Sequence, residues 1–265
     1  MEAAAEQGER VEVDPWRPSV EEYVAPITIE SIGVMELRSR CLTVRRCGHL
    51  RRKEIAICRM LKMRACSMPM RFPFKVSKAI AVIRFLAECE IPALTKGKIN
   101  KLVFLADKLH LVRFGRPITG DWYAAMPHGP VPSRIDNLLD AFEDENGTGE
   151  AEPLRAQIGV NRVFRYPRYF AIGTSDLPNQ QLSTSDFEAL REVVTVYKYR
   201  TFDELRTLTH EMPAYEIAWA ERSGQRGQMR FEDFFEDDEN AIAGVFEEAV
   251  ENSAIAARFP EPAWD

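Results

Sequence analysis

Lys98-Ile-Asn-Lys-Leu-Val-Phe-Leu-Ala-Asp-Lys-Leu-His110 is the stretch that decides the fold. Ile99, Leu102, Val103, Ala106 and Leu109 recur at helical spacing and form one apolar stripe, while Asn100, Lys101, Asp107, Lys108 and Arg113 fall mostly off it. The spacing predicts a helix over 98–114 with Thr95 as its N-cap, because a threonine hydroxyl accepts from an orphan amide of the first turn. Gly115 supplies a left-handed stop and Pro117 prevents the helix from resuming.

Working outward, Val76, Ala79, Ile80, Ile83, Leu86 and Ala87 predict a preceding helix over 75–89, stopped by Pro92. On the other side, residues 116–132 read as a loop stiffened by Pro117, Pro127, Pro130 and Pro132, with Gly120 and Gly129 at its turns. A helix starting near Ser133 turns Ile135, Leu138, Leu139 and Phe142 inward, and a polar loop follows over 143–152. Residues 160–164 and 168–172 are aromatic and β-branched and predict a small hairpin, with Pro167 marking it as an edge or an insertion. Two capping boxes, Ser185-Asp-Phe-Glu188 and Thr201-Phe-Asp-Glu204, open helices over 187–199 and up to 209. Pro213 starts a short helix containing Tyr215, Ile217, Ala218 and Trp219. Ser223-Gly-Gln-Arg-Gly227 reads as a linker-like break, and an acidic helix over 239–258 ends the chain.

The fold class expected is therefore mainly α, a compact helical domain over 74–222 with a small β-hairpin. A poorly ordered N-terminal extension, 1–69, precedes it, and an acidic C-terminal helical tail, 228–265, follows. The charge map supports three parts. The 265 residues carry a net charge of −6, but 35–66 hold ten basic and two acidic side chains, and 231–251 hold nine acidic and no basic ones. No apolar run reaches the ~18 residues of a membrane span, so no membrane is expected as partner. The first residues lack a signal peptide's basic start and apolar stretch, which gives a cytoplasmic expectation. The change of character just after Met70 also suggests a start at Met68 or Met70, with 1–69 an over-extended gene model.

No catalytic, cofactor or metal set emerges. Cys41, Cys47, His49, Cys58 and Cys66 lack the close ligand pairs of a structural zinc site and read as unpaired thiols. The basic run, Arg38 through Arg64, offers phosphate contacts without a groove-reading element. His210-Glu211 begins like a zinc-protease helix, but the second histidine is replaced by Ala214. His110, Asp121 and His128 are acid–base candidates with no nucleophile motif beside them, and loop-fixing hydrogen bonds are the simpler use of all three. Trp122, Tyr123 and Met126 either cap the core or contribute to a binding surface, where aromatic and Met side chains are enriched.

The stretch from Lys98 to His110, then Arg113-Phe-Gly-Arg-Pro-Ile-Thr-Gly-Asp-Trp-Tyr-Ala-Ala-Met-Pro-His-Gly-Pro-Val-Pro-Ser133, resembles the Panacea domain, also described as SocA-like or phage-associated GepA-like. The shared elements are Asp107 and His110, Gly115-Arg116-Pro117, Gly120-Asp121 with Trp122, and His128-Gly129-Pro130-Val131-Pro132. Leu182-Ser183 and Leu208-Thr-His210-Glu211 with Pro213-Ala-Tyr-Glu-Ile-Ala-Trp219 are similar too; Tyr215 stands where a tryptophan is common. The resemblance implies a non-enzymatic antitoxin of a bacterial or prophage toxin–antitoxin pair. Its partner is a cognate toxin encoded by the adjacent gene, bound directly, with delivery to the ClpXP protease as one mode. It marks those motif residues as candidate partner contacts. Two other classes stand beside it: a DNA-binding autoregulator using 35–66 as a basic arm, and an uncharacterised hydrolase around His110, Asp121 and His128.

Overall fold

The central helix is buried on every side. In the computed structural model, which describes residues 69–144, 149–236 and 244–258, fifteen consecutive residues from Lys98 to Val112 are buried. All of them lie in the unit Cys66–Asp265. The N-terminal basic run, four of the cysteines, His49 and the gene-start expectation lie outside the described residues.

Helix α1 spans Val76–Glu88 and α2 spans Lys96–Phe114. Thr95 caps α2 by accepting from the Lys98 amide at 3.4 Å, and Gly115 ends it in the left-handed region at φ 66°. Helix α1 stops before Pro92, where Glu90 and Ala93 take positive φ. The single apolar stripe expected for α2 is corrected: seven elements close around the helix, so its polar side chains are interior too.

The expected loop 116–132 contains a hairpin, β1 (Tyr123–Met126) paired antiparallel with β2 (Gly129–Pro132). Its strands have only four residues each, and β2 is Gly-Pro-Val-Pro, so they carry too little alternation to read as β. Helix α3 (Ser133–Glu143) follows, with Ile135, Leu139 and Phe142 buried, then a 3-10 turn (Gly149–Ala151) and α4 (Glu152–Arg155). Strands β3 (Ile158–Asn161) and β4 (Arg168–Ala171) form a separate two-stranded sheet, as the hairpin expected there. The first strand begins two residues earlier than expected, because Ile158 is the inward residue that pairs with Ala171.

After α5 (Leu177–Gln181), α6 spans Thr184–Tyr197. Its capping box uses Ser183 and Asp186, two residues before the expected Ser185 and Glu188. Asp186 wins the register because it is fully buried against Lys78, His110 and Arg116. The box at Thr201 and Glu204 opens α7 (Phe202–His210) as expected, and Pro213 opens α8 (Pro213–Ala220).

The linker-like break is corrected as well. Gly227–Gln228 forms β5 on the free edge of β1, giving the order β2-β1-β5. The 3-10 turn Phe231–Phe235 then sends Phe234 into the core, edge-on to Phe104 at 5.4 Å and tilted against Tyr123 at 5.7 Å. Helix α9 spans Val245–Arg258; its Val245, Ala249 and Ser253 are buried, and the helix packs on α2. Met70 and Arg71 join the same end, their amides donating to Glu232 Oε1 at 2.5 Å and Ser253 Oγ at 2.7 Å. Among the described residues, no helix is long and apolar enough to cross a membrane.

The β3–β4 sheet hangs on one buried side chain of α1. Arg84, 1% exposed, donates to the carbonyls of Gln157 and Ile172 at 2.5 Å each and of Gly173 at 2.8 Å, with Glu88 at 2.6 Å on its Nε. Arg84→Met removes a buried charged donor from three part-buried carbonyls, of which that of Gln157 keeps the Ile172 amide, and is expected to cost about 1–3 kcal/mol. Urea unfolding measures the loss, and hydrogen exchange should show residues 156–173 losing protection first; uniform loss across the chain contradicts the anchoring role.

Candidate functional site

The polar side chains of α2 each reach a different segment of the chain. Lys98 Nζ donates to the carbonyls of Pro92 and Lys198 at 2.8 and 2.9 Å. Asn100 donates to Asp136 at 2.7 Å. Lys101 Nζ donates to the Pro130 carbonyl at 2.8 Å. Buried ammonium and carboxylate groups persist only where such partners replace water.

Asp107, 0% exposed, is the densest of these centres. It accepts from the Ile118 and Thr119 amides at 3.0 Å each, from Thr119 Oγ1 at 2.5 Å and from Tyr123 OH at 2.8 Å. Burial pushes its pKa up, against the donors that favour the charged form. Gly120 follows with φ 70°, where a Cβ would strike the Pro73 carbonyl, so only glycine lets the loop lie on residues 73–75. Asp121 then caps α3: its carboxylate accepts from the Arg134 amide at 2.9 Å and the Ile135 amide at 2.8 Å. Burial pushes its pKa up to about 6.

His110 joins a second cluster. Nδ1 donates to the Arg116 carbonyl at 2.6 Å, and Nε2 lies 3.0 Å from Ser185 Oγ and 3.1 Å from Asp186 Oδ1. Asp186 also meets Lys78 at 2.5 Å and Arg116 at 3.2 Å. Burial alone would raise the Asp186 pKa, but the contacts from His110, Lys78 and the Ser183 amide hold it well below the usual carboxylate range.

A third cluster surrounds the β1–β2 turn. Gly129, at φ 96°, leaves room for Lys101 and Thr209; a Cβ there would come within 3.0 Å of both side chains. His210 stacks on Tyr215 with ring centroids 4.4 Å apart, and Tyr215 OH donates to the Met126 carbonyl at 2.9 Å. Burial, then the charges of Arg206, Lys101 and His128, lower the His210 pKa to about 4.

The motif residues thus sort by burial. Asp107, His110, Gly115, Pro117, Gly120, Asp121, Gly129, Pro130 and Pro132 are buried, while Arg116, Val131 and His210 are half-buried. Trp122 and His128 are exposed, and the Arg226 guanidinium lies 4.7 Å over the Trp122 ring. Among the described residues, His110 and Asp121 each bond to a different segment of the chain, and no hydrogen bond joins them to each other or to His128. Among the described residues no group of three or more His, Cys, Asp or Glu is placed to hold a metal ion. Sequence reasoning passed over Lys101, Thr119, Asp186 and Arg84. The available signal was in α2 itself, where apolar and polar residues alternate too closely for one face to stay wet.

A mainly helical domain whose shared motif ties loops to one interior helix defines the class. Residues 99–216 match the family model described as antitoxin SocA-like, Panacea domain. No curated protein matches the chain, and no solved structure does.

Two measurements probe these centres. Asp107→Asn places amide hydrogens against a set of donors and is expected to cost about 3–4 kcal/mol; a urea midpoint within error of the wild type refutes its role. For Lys101, burial lowers the pKa to about 7. Between pH 7 and about 10 the unfolded chain holds a proton that the folded chain releases, so this residue's contribution to stability increases as pH rises and is lost as pH falls through 7. The stability gained from pH 7 to 9.5 should therefore be smaller in Lys101→Met than in the wild type, by about 1–3 kcal/mol. Equal gains in both proteins show that the buried amine keeps its proton.

Proposed function

We propose that this protein is the antitoxin of a toxin–antitoxin pair and neutralises its toxin by direct protein–protein binding. The observation that carries the reading is the antitoxin SocA-like domain over 99–216. The burial pattern supports it: Asp107, His110 and Asp121 are buried and hold loops in place through backbone contacts. Chemistry of that kind builds a platform, and the platform's surface is what a partner meets.

The cognate toxin is expected from the adjacent gene. Transfer of the toxin to ClpXP is the version in which the domain acts as an adaptor, and a cytoplasmic setting goes with either version. Co-expression tests both. The adjacent gene alone should arrest growth, and the full chain should restore it; a harmless neighbour, or growth arrest that persists with the chain present, overturns the reading. In cells lacking ClpX, the adaptor version predicts that rescue disappears and the toxin's half-life lengthens. Full rescue there, with unchanged toxin levels, assigns neutralisation to stoichiometric binding alone.

A further inference from the structure

The outward face of the β3–β4 sheet is the wrong chemistry for solvent. The wet face of an antiparallel pair is ordinarily polar. Here Phe170 and Ile172 stand on it, 47% and 37% exposed, followed at the connecting loop by Val163 at 89%, Phe164 at 42% and Tyr166 at 55%. The Phe170 ring lies across Gly159, its cross-strand neighbour, where a Cβ would displace it. Five exposed large apolar side chains within eleven residues mark an interaction site rather than ordinary exposure.

The hairpin's own charges have one sign, while Glu88 and Glu90 line the recess beside Phe170. From Pro153 to Ser175 the chain carries four arginines and no acidic residue, within a protein of net charge −6. The Arg168 guanidinium lies 3.5 Å over Phe164, and that of Arg165 lies 5.5 Å over Tyr166. A guanidinium laid on a ring keeps its in-plane N–H donors for carboxylates. Among the described residues, Arg162, Arg165 and Arg168 pair with no carboxylate; Arg162 donates to the Glu143 carbonyl at 3.0 Å. Beside Phe170, a recess of about 490 Å³ opens between the sheet and α1, bordered by Glu88, Gly173 and Ser175.

We infer that this hairpin, residues 162–172, is the surface that grips the partner protein, and that the partner presents an acidic patch around an apolar centre. The inference rests on the antitoxin reading. Exposed Phe and Tyr interleaved with Arg are the composition of interface hot spots. A ridge of rings beside a recess suits a protein surface. Charge complementarity selects the acidic patch and steers its approach. The net negative charge of the whole chain opposes a nucleic acid, whose phosphates would meet only three arginines on this hairpin.

The probe is the purified product of the adjacent gene, titrated against the full chain. Arg165→Glu/Arg168→Glu and, separately, Val163→Asp/Phe170→Ser should each weaken binding about 100-fold and abolish growth rescue. The melting temperature should stay within a few degrees, since these side chains face outward; Arg165→Glu alone serves where the double variants unfold. Val196→Asp, on α6 and 55% exposed, should bind like the wild type. Wild-type affinity and rescue in the folded hairpin variants overturn the surface while leaving the antitoxin reading intact. A wild-type chain that neither binds nor rescues overturns both. Two further outcomes also reject a protein partner's patch: loss of single-stranded RNA binding with rescue unchanged, or a wild-type dimer that the variants convert to monomers with rescue unchanged.

Discussion

The structure depends on a helix that has no solvent face yet carries polar groups on several of its turns. Lys98, Asn100, Lys101, Asp107, Lys108 and His110 are all 9% exposed or less. An isolated charge in such surroundings is prohibitive, so each group must find donors or acceptors within reach. Lys98, Lys101, Asp107 and His110 find backbone groups, at Pro92 and Lys198, at Pro130, at Ile118 and Thr119, and at Arg116. One rigid element thereby sets the positions of the loop after α2, the β1–β2 turn and the end of α6. A loop held by its backbone keeps its course while its outward side chains differ.

This bears on what the shared motif means. Gly120 and Gly129 occur where the chain needs positive φ and close approach, and Asp121 occurs where α3 needs its first amides satisfied. These are folding requirements. A domain whose recognisable residues serve the fold leaves recognition to residues outside the motif, and the aromatic, arginine-rich hairpin of β3 and β4 is such a place.

Local signals were legible in the sequence, and tertiary ones were not. Thr95, Gly115, Thr201 and Pro213 act within one turn of their own helices, and each does in the structure what its residue type indicates. The closure of seven elements around α2 depends on contacts far apart in sequence, so the helix read as amphipathic. Serines at 183 and 185 both precede an acid by three residues; the choice between them was made by Lys78, 108 residues from Asp186. Gly227–Gln228 is too short to announce a strand and exists because β1 offers an unpaired edge. The candidate residues were legible as a motif, but their sorting into buried anchors and exposed Trp122 and His128 was not.

The attachment of the β3–β4 sheet follows a related logic. Arg84 binds it through carbonyl oxygens, which every residue type supplies, and the Tyr169 amide donates a hydrogen bond to the Leu94 carbonyl at 2.8 Å. Neither tie depends on which side chains the sheet turns outward. Alternation along β4 separates the two roles residue by residue: Tyr169 and Ala171 face the core, while Phe170 and Ile172 face away. Substitution on the outer face therefore changes what the sheet contacts with little effect on the core that holds it. That separation leaves the exposed rings and arginines outside the packing that holds the sheet.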